Sequence, residues 1–197
     1  MENTNVTKDK ILKVAKKLFA KKGFEGTTTR EIVNEAGVNI SLISYHFGGK
    51  ENVLFALFDH FMDEFAQKVP ANVNMDLTQE LKSTLIHIIK LRFIEPELVS
   101  ILHHEIILNS GRADKIRALL LPVWTRVKSL LEEGKAQGVF YFENIENAFA
   151  FTMSVAIFPR YNIYFQERIY DQPEDIENIA NELMGFILKG LQIEMYQ

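Results

Sequence analysis

Apolar residues recur every three to four positions along most of this chain, whereas the alternation typical of strands is almost absent. Only five prolines and ten glycines interrupt the pattern. It therefore predicts an all-α fold. We expect Thr7 to cap the first helix, Gly23 to end it, and Pro122 and Pro159 to kink two later helices. The predicted helices are 7–22, two short ones within 28–47, then 50–69, 77–94, 95–109, 112–138, 144–166 and 174–195.

Residues 28–47 are predicted to form two short helices joined by a tight turn, a shape that fits the major groove of DNA. Thr28 is a good N-cap, and Glu31 follows at the spacing of a capping box. Gly37 permits the turn, and Asn39 is placed to cap the second helix. The apolar positions predicted to face inward are Ile32, Val33, Ala36, Ile40, Ile43 and Phe47. The positions left facing outward are Ser41, Leu42, Ser44, Tyr45 and His46, and none of them is acidic.

Charge is distributed unevenly along the 197 residues, whose net charge is −4. Residues 1–50 contain nine Lys or Arg and five Asp or Glu, a net charge of +4, so the remaining residues carry −8. Binding to duplex DNA requires a local positive potential, which the segment with the two-helix motif supplies. Lysine-rich amphipathic helices are also simply well solvated, so charge alone leaves both interpretations open.

Composition excludes several kinds of site and protein. Hydrophobic residues make up 47% of the chain, enough for a sizeable core, and the absence of cysteine excludes disulfides and thiolate metal sites. No apolar run reaches the ~18 residues of a membrane helix, and the N-terminal residues contain no hydrophobic signal core. We therefore expect a soluble cytoplasmic protein without a cofactor.

Several spaced motifs within residues 7–65 resemble the tetracycline-repressor (TetR) family of bacterial one-component regulators. The motifs are KKLFAKKGF at 16–24, TTTREI at 27–32, AGV at 36–38, YHF at 45–47 and KE at 50–51. The resemblance implies a three-helix DNA-binding unit at 5–65 and a domain at 66–197 that binds an effector and dimerises. Beyond residue 65 the resemblance is one of helical architecture only.

The family's DNA contacts, carried over by matching position, fall in and around the two-helix motif. They are Thr28, Thr29, Arg30, Asn39, Ile40, Ser41, Leu42, Ser44, Tyr45, His46 and Lys50. Ser41 and Leu42 suit base edges, whereas the two threonines, Tyr45, His46 and the backbone amides at Lys50 suit phosphates. The partner that the family implies is double-stranded DNA with a palindromic operator.

Three positions depart from the family pattern. Ser44 stands where an aromatic residue is common, and Gly49 stands where Ser is common, which removes one side-chain cap. Arg30 is the only arginine of the motif, so bidentate recognition of guanine is limited. We therefore expect DNA shape and phosphate contacts to supply much of the affinity.

The C-terminal part is rich in large apolar residues, and an aromatic-lined cavity between helices suits a small apolar or aromatic effector. The residues predicted to line it are Phe61, Phe65, Phe93, His104, Trp124, Met153, Phe158 and Tyr161. Aromatic stripes also occur as plain core, so a filled interior stays open as the alternative. If an effector binds, the helix at 50–69 would transmit the change through Phe58 and Phe61, because no flexible linker separates the two parts.

The last two predicted helices, 144–166 and 174–195, carry small residues beside large ones, which permits close helix approach. Two such helices from each subunit form an isologous four-helix interface, whereas the alternative is an intramolecular core. With the family resemblance, this pattern predicts a homodimer whose recognition helices lie about one DNA turn apart.

Two other classes of function stay open at this stage. An architectural or cell-cycle DNA-binding protein would share the motif but have no small-molecule effector. An enzyme would have to use His103, His104 and Glu105, but adjacent histidines on a helix diverge by about 100°, and no triad is evident. His60 and Glu64 have the i, i+4 spacing of metal ligands, but no third ligand is evident. We therefore expect neither catalysis nor a metal site.

Overall fold

The computed structural model describes the backbone of residues 2–68, 76–158, 161–162, 167–168 and 175–192, and the side chains of residues 5–63, 76–158 and 175–191. Regular secondary structure in these residues is helical apart from one short hairpin, which confirms the all-α class. The described part contains no helix with both the length and the apolar character needed to cross a bilayer. The helices are α1 (Glu2–Lys22), α2 (Thr29–Ala36), α3 (Ser41–Phe47), α4 (Lys50–Lys68), α5 (Leu77–Ile94), α6 (Pro96–Ile107), α7 (Ala113–Ala136), α8 (Ile145–Ile157) and α9 (Ile176–Gln192).

The prediction was wrong at the end of α8. The helix was expected to continue to residue 166 with a kink at Pro159, but it ends at Ile157. Phe158 has φ −55° and ψ 127°, outside the helical region. A proline disfavours helical ψ at the residue before it, so Pro159 ends the helix rather than kinking it. The strands that follow are β1 (Tyr161–Asn162) and β2 (Glu167–Arg168), which pair antiparallel.

The ends of the other helices are close to the predicted ones, with one correction in α1. This helix begins at Glu2, so Thr7 lies inside it rather than capping it. No glycine or proline separates the two residues, so nothing in the sequence interrupts the helix between them. Gly23 follows the end of α1 with φ 73°, as predicted. Pro122 lies inside α7, where the kink stays a prediction.

The chain divides into two compact units. The first comprises Met1–Gln67 with Glu97–Leu120, and the second comprises Lys68–Pro96 with Leu121–Gln197. Helix α6 and the first two turns of α7 therefore belong to the compact unit that contains the two-helix motif. The predicted division into a DNA-binding domain at 5–65 and an effector-binding and dimerisation domain at 66–197 concerns function, and it stays a prediction.

The first unit surrounds the motif with a shared apolar core. Helix α1 packs on α2, and buried side chains from α3, α4 and α7 complete the core. This packing matters because α2 and α3 have only eight and seven residues, too few to be stable alone. Its fully buried side chains include Ile11, Phe19, Ile32, Ile43, Leu54, Phe58 and Ile116.

The second unit is built on α5, which packs on both α8 and α9. Arg92 of α5 is buried, and its Nη1 donates to the carbonyls of Val155 and Phe158 at 3.3 and 3.0 Å. The guanidinium thereby satisfies carbonyls that the end of α8 leaves without a helical partner. The Tyr141 N–H donates to the Leu191 carbonyl at 2.6 Å, which joins the α7–α8 connection to α9.

Gly134 of α7 provides a test of the packing in the second unit. A Cβ added there would lie 2.1 Å from Cδ2 of Phe140, whose side chain is 1% exposed. Gly134→Ala should therefore lower the free energy of unfolding by about 1–3 kcal/mol, although Ala is otherwise the better helix former. Gly111→Ala is the control, because a Cβ there meets no atom within 4 Å. Urea denaturation compares the two, and a Gly134→Ala variant as stable as wild type would contradict the close packing.

Candidate nucleic-acid interface

The start of α2 is held by the capping box that the sequence predicts. The Thr28 hydroxyl accepts from the Glu31 N–H at 3.2 Å, and Glu31 Oε2 accepts from the Thr28 N–H at 2.8 Å. Lys22 Nζ donates to Glu31 Oε1 at 2.7 Å. The Lys22 ammonium, followed by the N–H and hydroxyl of Thr28, lowers the pKa of Glu31 from 4.5 to about 2. This cap is therefore charged and intact at neutral pH.

Glycines in the left-handed conformation end both motif helices. Gly37 after α2 has φ 67°, and Gly48 after α3 has φ 77°. Around the first of them, the Gly37 N–H donates to Asn34 and the Val38 N–H donates to Val33, at 3.3 and 3.0 Å. These two bonds form a Schellman motif, which confirms that Gly37 makes the turn.

Gly49 stands where the resembling family commonly has Ser, and its backbone conformation suits glycine. Gly49 has φ 149°, a conformation that residues with a side chain rarely adopt. Its carbonyl accepts from the Val53 N–H at 3.2 Å, so its backbone still takes part in starting α4. A residue with a side chain would be strained on this path between α3 and α4, which glycine adopts freely.

Asn39 supplies a side-chain cap bond at the start of α3, as predicted, although Ile40 is the residue that directly precedes the helix and makes no side-chain cap bond itself. Asn39 Oδ1 accepts from the Ser41 N–H at 2.9 Å and from the Ser41 hydroxyl at 2.8 Å. Its carbonyl accepts from the Leu42 N–H at 3.0 Å. Because the Ser41 hydroxyl hydrogen is donated within the protein, the Ser41 oxygen offers its lone pairs outward as a hydrogen-bond acceptor.

The outer face of α3 is polar and aromatic. Tyr45 is 79% exposed, Ser41 and Ser44 are exposed, and Leu42 is half-buried. The ring of His46 packs edge-on against that of Tyr45, with 4.9 Å between the centroids. This arrangement leaves a phenol, two hydroxyls and one aliphatic side chain available to a ligand outside the protein.

Fewer side chains of the α3 region are buried than the apolar spacing predicted. Ile43 is buried, with 2% exposed, but Phe47 is only half-buried and Ile40 is 48% exposed. The inward placement of Ile40 was therefore wrong. The backbone of Ile40 is helical, with φ −59° and ψ −31°, and its carbonyl accepts from the Ile43 N–H at 3.2 Å, but its side chain lies at the exposed start of α3. An exposed Ile40 beside Ser41 and Tyr45 stays among the predicted DNA contacts.

Lys50 is bonded within the protein. Its Nζ donates to the carbonyls of Phe24 and Thr27, both at 2.8 Å, and lies 4.0 Å from the centroid of the Phe24 ring. The ammonium thus connects the start of α4 to the segment between α1 and α2. Two of its three hydrogens are used in this way, which leaves one for a phosphate.

The remaining predicted DNA contacts lie at the start of α2. The Thr28 hydroxyl donates to Glu31 Oε2 at 2.9 Å, Thr29 is half-buried and Arg30 is exposed. The structure thus gathers all the predicted DNA residues at α2, α3 and the start of α4 within the first compact unit. Their individual contacts with DNA stay predictions.

Comparison with known proteins identifies the family. Residues 11–57 match the family model of bacterial regulatory proteins, tetR family. The probable HTH-type transcriptional regulator YttP of Bacillus subtilis is 29% identical over 86% of this chain and 84% of its own length. The HTH-type transcriptional repressor NicS of Pseudomonas putida is 32% identical over 68% of this chain and 66% of its own. The crystal structure of HlyIIR, a hemolysin II transcriptional regulator, is 30% identical and has a TM-score of 0.73 over 97% of this chain and 99% of that one. The chain belongs to the TetR family.

Membership of the TetR family decides between the classes of function left open by the sequence. The relatives are transcriptional regulators and repressors with the same helix-turn-helix motif, so this protein is a DNA-binding transcriptional regulator. The architectural alternative is not supported. The family role is regulation rather than catalysis.

The effector residues predicted for this TetR-family protein differ in environment. Phe93 and Met153 are buried on α5 and α8, which pack together in the second unit, whereas Phe158 is 37% exposed. Trp124 and Phe61 are half-buried and His104 is exposed. Phe61 and His104 belong to the first unit. The side chains of Phe65 and Tyr161 lie outside the described residues.

The His103-His104-Glu105 segment is explained by packing and charge pairing. Burial and, secondly, the neighbouring His104 lower the pKa of half-buried His103. Glu105 is buried and accepts from Arg112 Nε at 2.9 Å. Among the described side chains, no three of His, Cys, Asp or Glu are placed to hold a metal ion. The side chain of Glu64, paired with His60 in the sequence, lies outside them.

Sequence reasoning gave no role to Phe24 and Arg112, which contact each other beside the two-helix motif. The Arg112 guanidinium lies 3.8 Å from the centroid of the Phe24 ring, and Phe24 in turn contacts Lys50. Phe24 ends one of the family motifs, which was the available signal. Arg112 lies where the chain has no family signature, so nothing local marked it.

The depressed pKa of Glu31 predicts a pH-dependent contribution to stability. Because the folded pKa of about 2 lies below the ordinary 4.5, the contribution is complete above pH 4.5 and is lost as the pH falls toward 2. Glu31→Gln should lower the melting temperature at pH 7, and its difference from wild type should shrink below pH 4.5. Melting curves from pH 7 to 3 measure this. Glu35→Gln, on the same helix and exposed, is the control, and a Glu31→Gln difference that stays constant to pH 3 would contradict the charged cap.

Proposed function

We propose that this TetR-family regulator is a cytoplasmic homodimeric repressor that binds a palindromic operator and is released by a small apolar effector. The observation that carries the DNA half of the proposal is the outer face of α3. Its outward side chains are exposed or half-buried, none of them is acidic, and α2 and α3 each end at a glycine in the left-handed conformation. Such a face approaches base edges without repelling the phosphates on either side.

Positioning and base recognition are assigned to different residues. Tyr45, 79% exposed, and Thr29 are placed to hold phosphates, with Lys50 supplying its remaining hydrogen. Thr28, whose hydroxyl hydrogen is donated to Glu31, contributes by capping the start of α2. The Ser41 oxygen, acting as an acceptor, suits the amino group of cytosine or adenine. Leu42 suits the methyl group of thymine. With a single arginine in the motif, DNA shape contributes the rest of the specificity.

Selection of bound DNA from a random duplex library, at a stated salt concentration, tests this function. We expect an enriched palindrome whose half-sites lie about one helical turn apart. Salt-sensitive binding without an enriched motif would contradict sequence-specific regulation, because phosphate contacts alone produce that behaviour.

Leu42 provides a test of base recognition on the selected site. Leu42→Ala should change the base preference at one position of each half-site by about 1–3 kcal/mol and leave other positions unchanged. Tyr45→Phe is the control, because Tyr45 is 79% exposed and loss of its phosphate contact weakens binding to all sequences alike. Competition binding with single-base operator variants distinguishes the two. Equal weakening at every operator variant by Leu42→Ala would remove Leu42 from base recognition.

Exposed aromatic residues on α8 and α9 support dimerisation through these two helices. Phe151 on α8 is 43% exposed and Phe186 on α9 is 62% exposed. A Cβ at Gly190 would lie 2.8 Å from Cε1 of Phe151, so glycine permits α8 and α9 to approach closely here. Two close-packed helices with exposed rings form half of an isologous four-helix interface.

Phe186→Glu tests this interface. A buried, unpaired charge at a symmetric contact is present twice, so the variant should be monomeric at micromolar concentration and bind the operator at least about tenfold more weakly. Leu121→Glu is the matched control, because Leu121 is a 57% exposed apolar residue on α7. Sedimentation velocity gives the oligomeric state, and a dimeric Phe186→Glu protein would contradict the proposed interface.

The effector half of the proposal is supported by the buried apolar side chains of Phe93 and Met153. A thermal-shift screen of small apolar compounds, followed by titration of each hit into the operator complex, tests it. We expect stabilising compounds to weaken operator binding. Hits that leave operator affinity unchanged would contradict the coupling.

A further inference from the structure

One arginine connects the segment between α6 and α7 to the segment between α1 and α2, within the first compact unit. Arg112 precedes α7, and its side chain is 14% exposed. Its Nε donates to Glu105 Oε2 at 2.9 Å, its Nη1 donates to Glu25 Oε1 at 3.0 Å, and its guanidinium carbon lies 3.8 Å from the Phe24 ring centroid. A planar guanidinium pairs with two carboxylates through donors in a fixed fork while it stacks on the ring, whereas an ammonium is a compact point charge without that fork. We call Phe24, Glu25, Glu105 and Arg112 the Arg112 cluster.

Glu105 fixes the guanidinium to α6. The Glu105 side chain is 5% exposed, and its carboxylate also accepts from the Ser110 hydroxyl. A buried carboxylate that loses its cation is strongly unfavourable, so Arg112 is held at Glu105. Glu25, by contrast, is 81% exposed and is paired with Arg112. Because the buried Glu105 of α6 fixes Arg112, Arg112 in turn restrains Glu25 in the segment between α1 and α2.

Phe24 extends the constraint into the motif. Its ring is 9% exposed, and its carbonyl accepts from Lys50 Nζ, which also binds the carbonyl of Thr27. Thr27 directly precedes the N-cap of α2, and Lys50 is the first residue of α4, after the glycines that end α3. Displacement of Phe24 would therefore move the start of α2 and the end of α3 together.

We infer that Arg112 is a positioning residue for operator binding. It holds Phe24 and Glu25 on α6 and so keeps the two motif helices in the orientation that fits the operator. The inference assigns a role to residues outside both the motif and the predicted effector contacts. Its operator-affinity readout rests on the proposed function, whereas its exchange readout below requires no DNA.

Glu25→Gln gives the sharpest test, because loss of positioning predicts weaker operator binding whereas the change in charge alone predicts tighter binding. Removing a negative charge near a DNA-binding surface strengthens binding to any duplex. Loss of positioning weakens binding to the operator by about threefold, the size expected for a largely exposed ion pair. We therefore expect Glu25→Gln to bind nonspecific duplex slightly more tightly and the selected operator more weakly. Equal tightening on both duplexes would overturn the inference.

The double variant Arg112→Met/Glu105→Gln removes the cluster's charge pairing without leaving a buried carboxylate unpaired. We expect its operator affinity to fall about tenfold or more. The single variant Arg112→Lys should bind the operator more tightly than the double variant but more weakly than wild type, because one ammonium cannot reproduce the fixed donor geometry of the guanidinium. The matched control is Arg117→Met, since Arg117 pairs with Asp114 on α7 itself, at 2.6 Å. Full operator affinity in the double variant, or an equal loss in Arg117→Met, would overturn the inference.

Hydrogen exchange measured without DNA separates this inference from the proposed function. In Glu25→Gln and in the double variant, amides of residues 24–31 should exchange faster, while those of α5 and α8 should be unchanged. If the wild-type chain selects no operator, the proposed function fails but the exchange result still decides the positioning role. Unchanged exchange at residues 24–31 would overturn it.

Discussion

The ammonium of Lys50 and the ring beneath it determine how the DNA-binding helices are arranged. Lys50 reaches back 26 positions to the carbonyl of Phe24 and 23 positions to that of Thr27. Helices α2 and α3 have eight and seven residues, so neither is stable alone. Their relative orientation comes from the packed core and from this junction, where the end of α1, the start of α2 and the start of α4 meet.

The same junction links the motif to the rest of its compact unit. Phe24 contacts Lys50 on the motif side and Arg112 from the α6–α7 segment. A cation over an aromatic ring in a partly desolvated site is worth about 1–2 kcal/mol, and each neighbouring charge pair adds to it. A small movement of α6 can therefore be transmitted through Arg112, Phe24 and Lys50 to α3. Transmission through α4 alone is not required.

Features fixed by local chemistry were predicted correctly from the sequence. The Thr28–Glu31 capping box, the Gly37 turn and the Asn39 cap depend on residues within three or four positions of one another. The capping side chains bond to backbone groups two or three residues away, so the sequence alone shows both partners of each bond. The family motifs added the function, because spaced residues in the right order identify a helix-turn-helix even where no single contact is visible.

Features fixed by tertiary contact were missed or misplaced. Ile40 has the spacing of an inward residue but lies in the turn before α3 and is 48% exposed. The end of α8 is a local feature that was also missed, because the apolar pattern continues past the proline that ends the helix. Arg112 and Lys50 acquire their roles from partners far away in the sequence, which periodicity does not reveal. The effector residues stay predictions for the same reason.

In the proposed function, two copies of this motif bind one operator with a fixed spacing. The most direct test inserts five base pairs between the half-sites of the selected operator, which rotates one half-site to the opposite face of the duplex. We predict that operator affinity falls to the level of a single half-site and that inserting ten base pairs restores part of it. Affinity unaffected by the five-base-pair insertion would contradict the account.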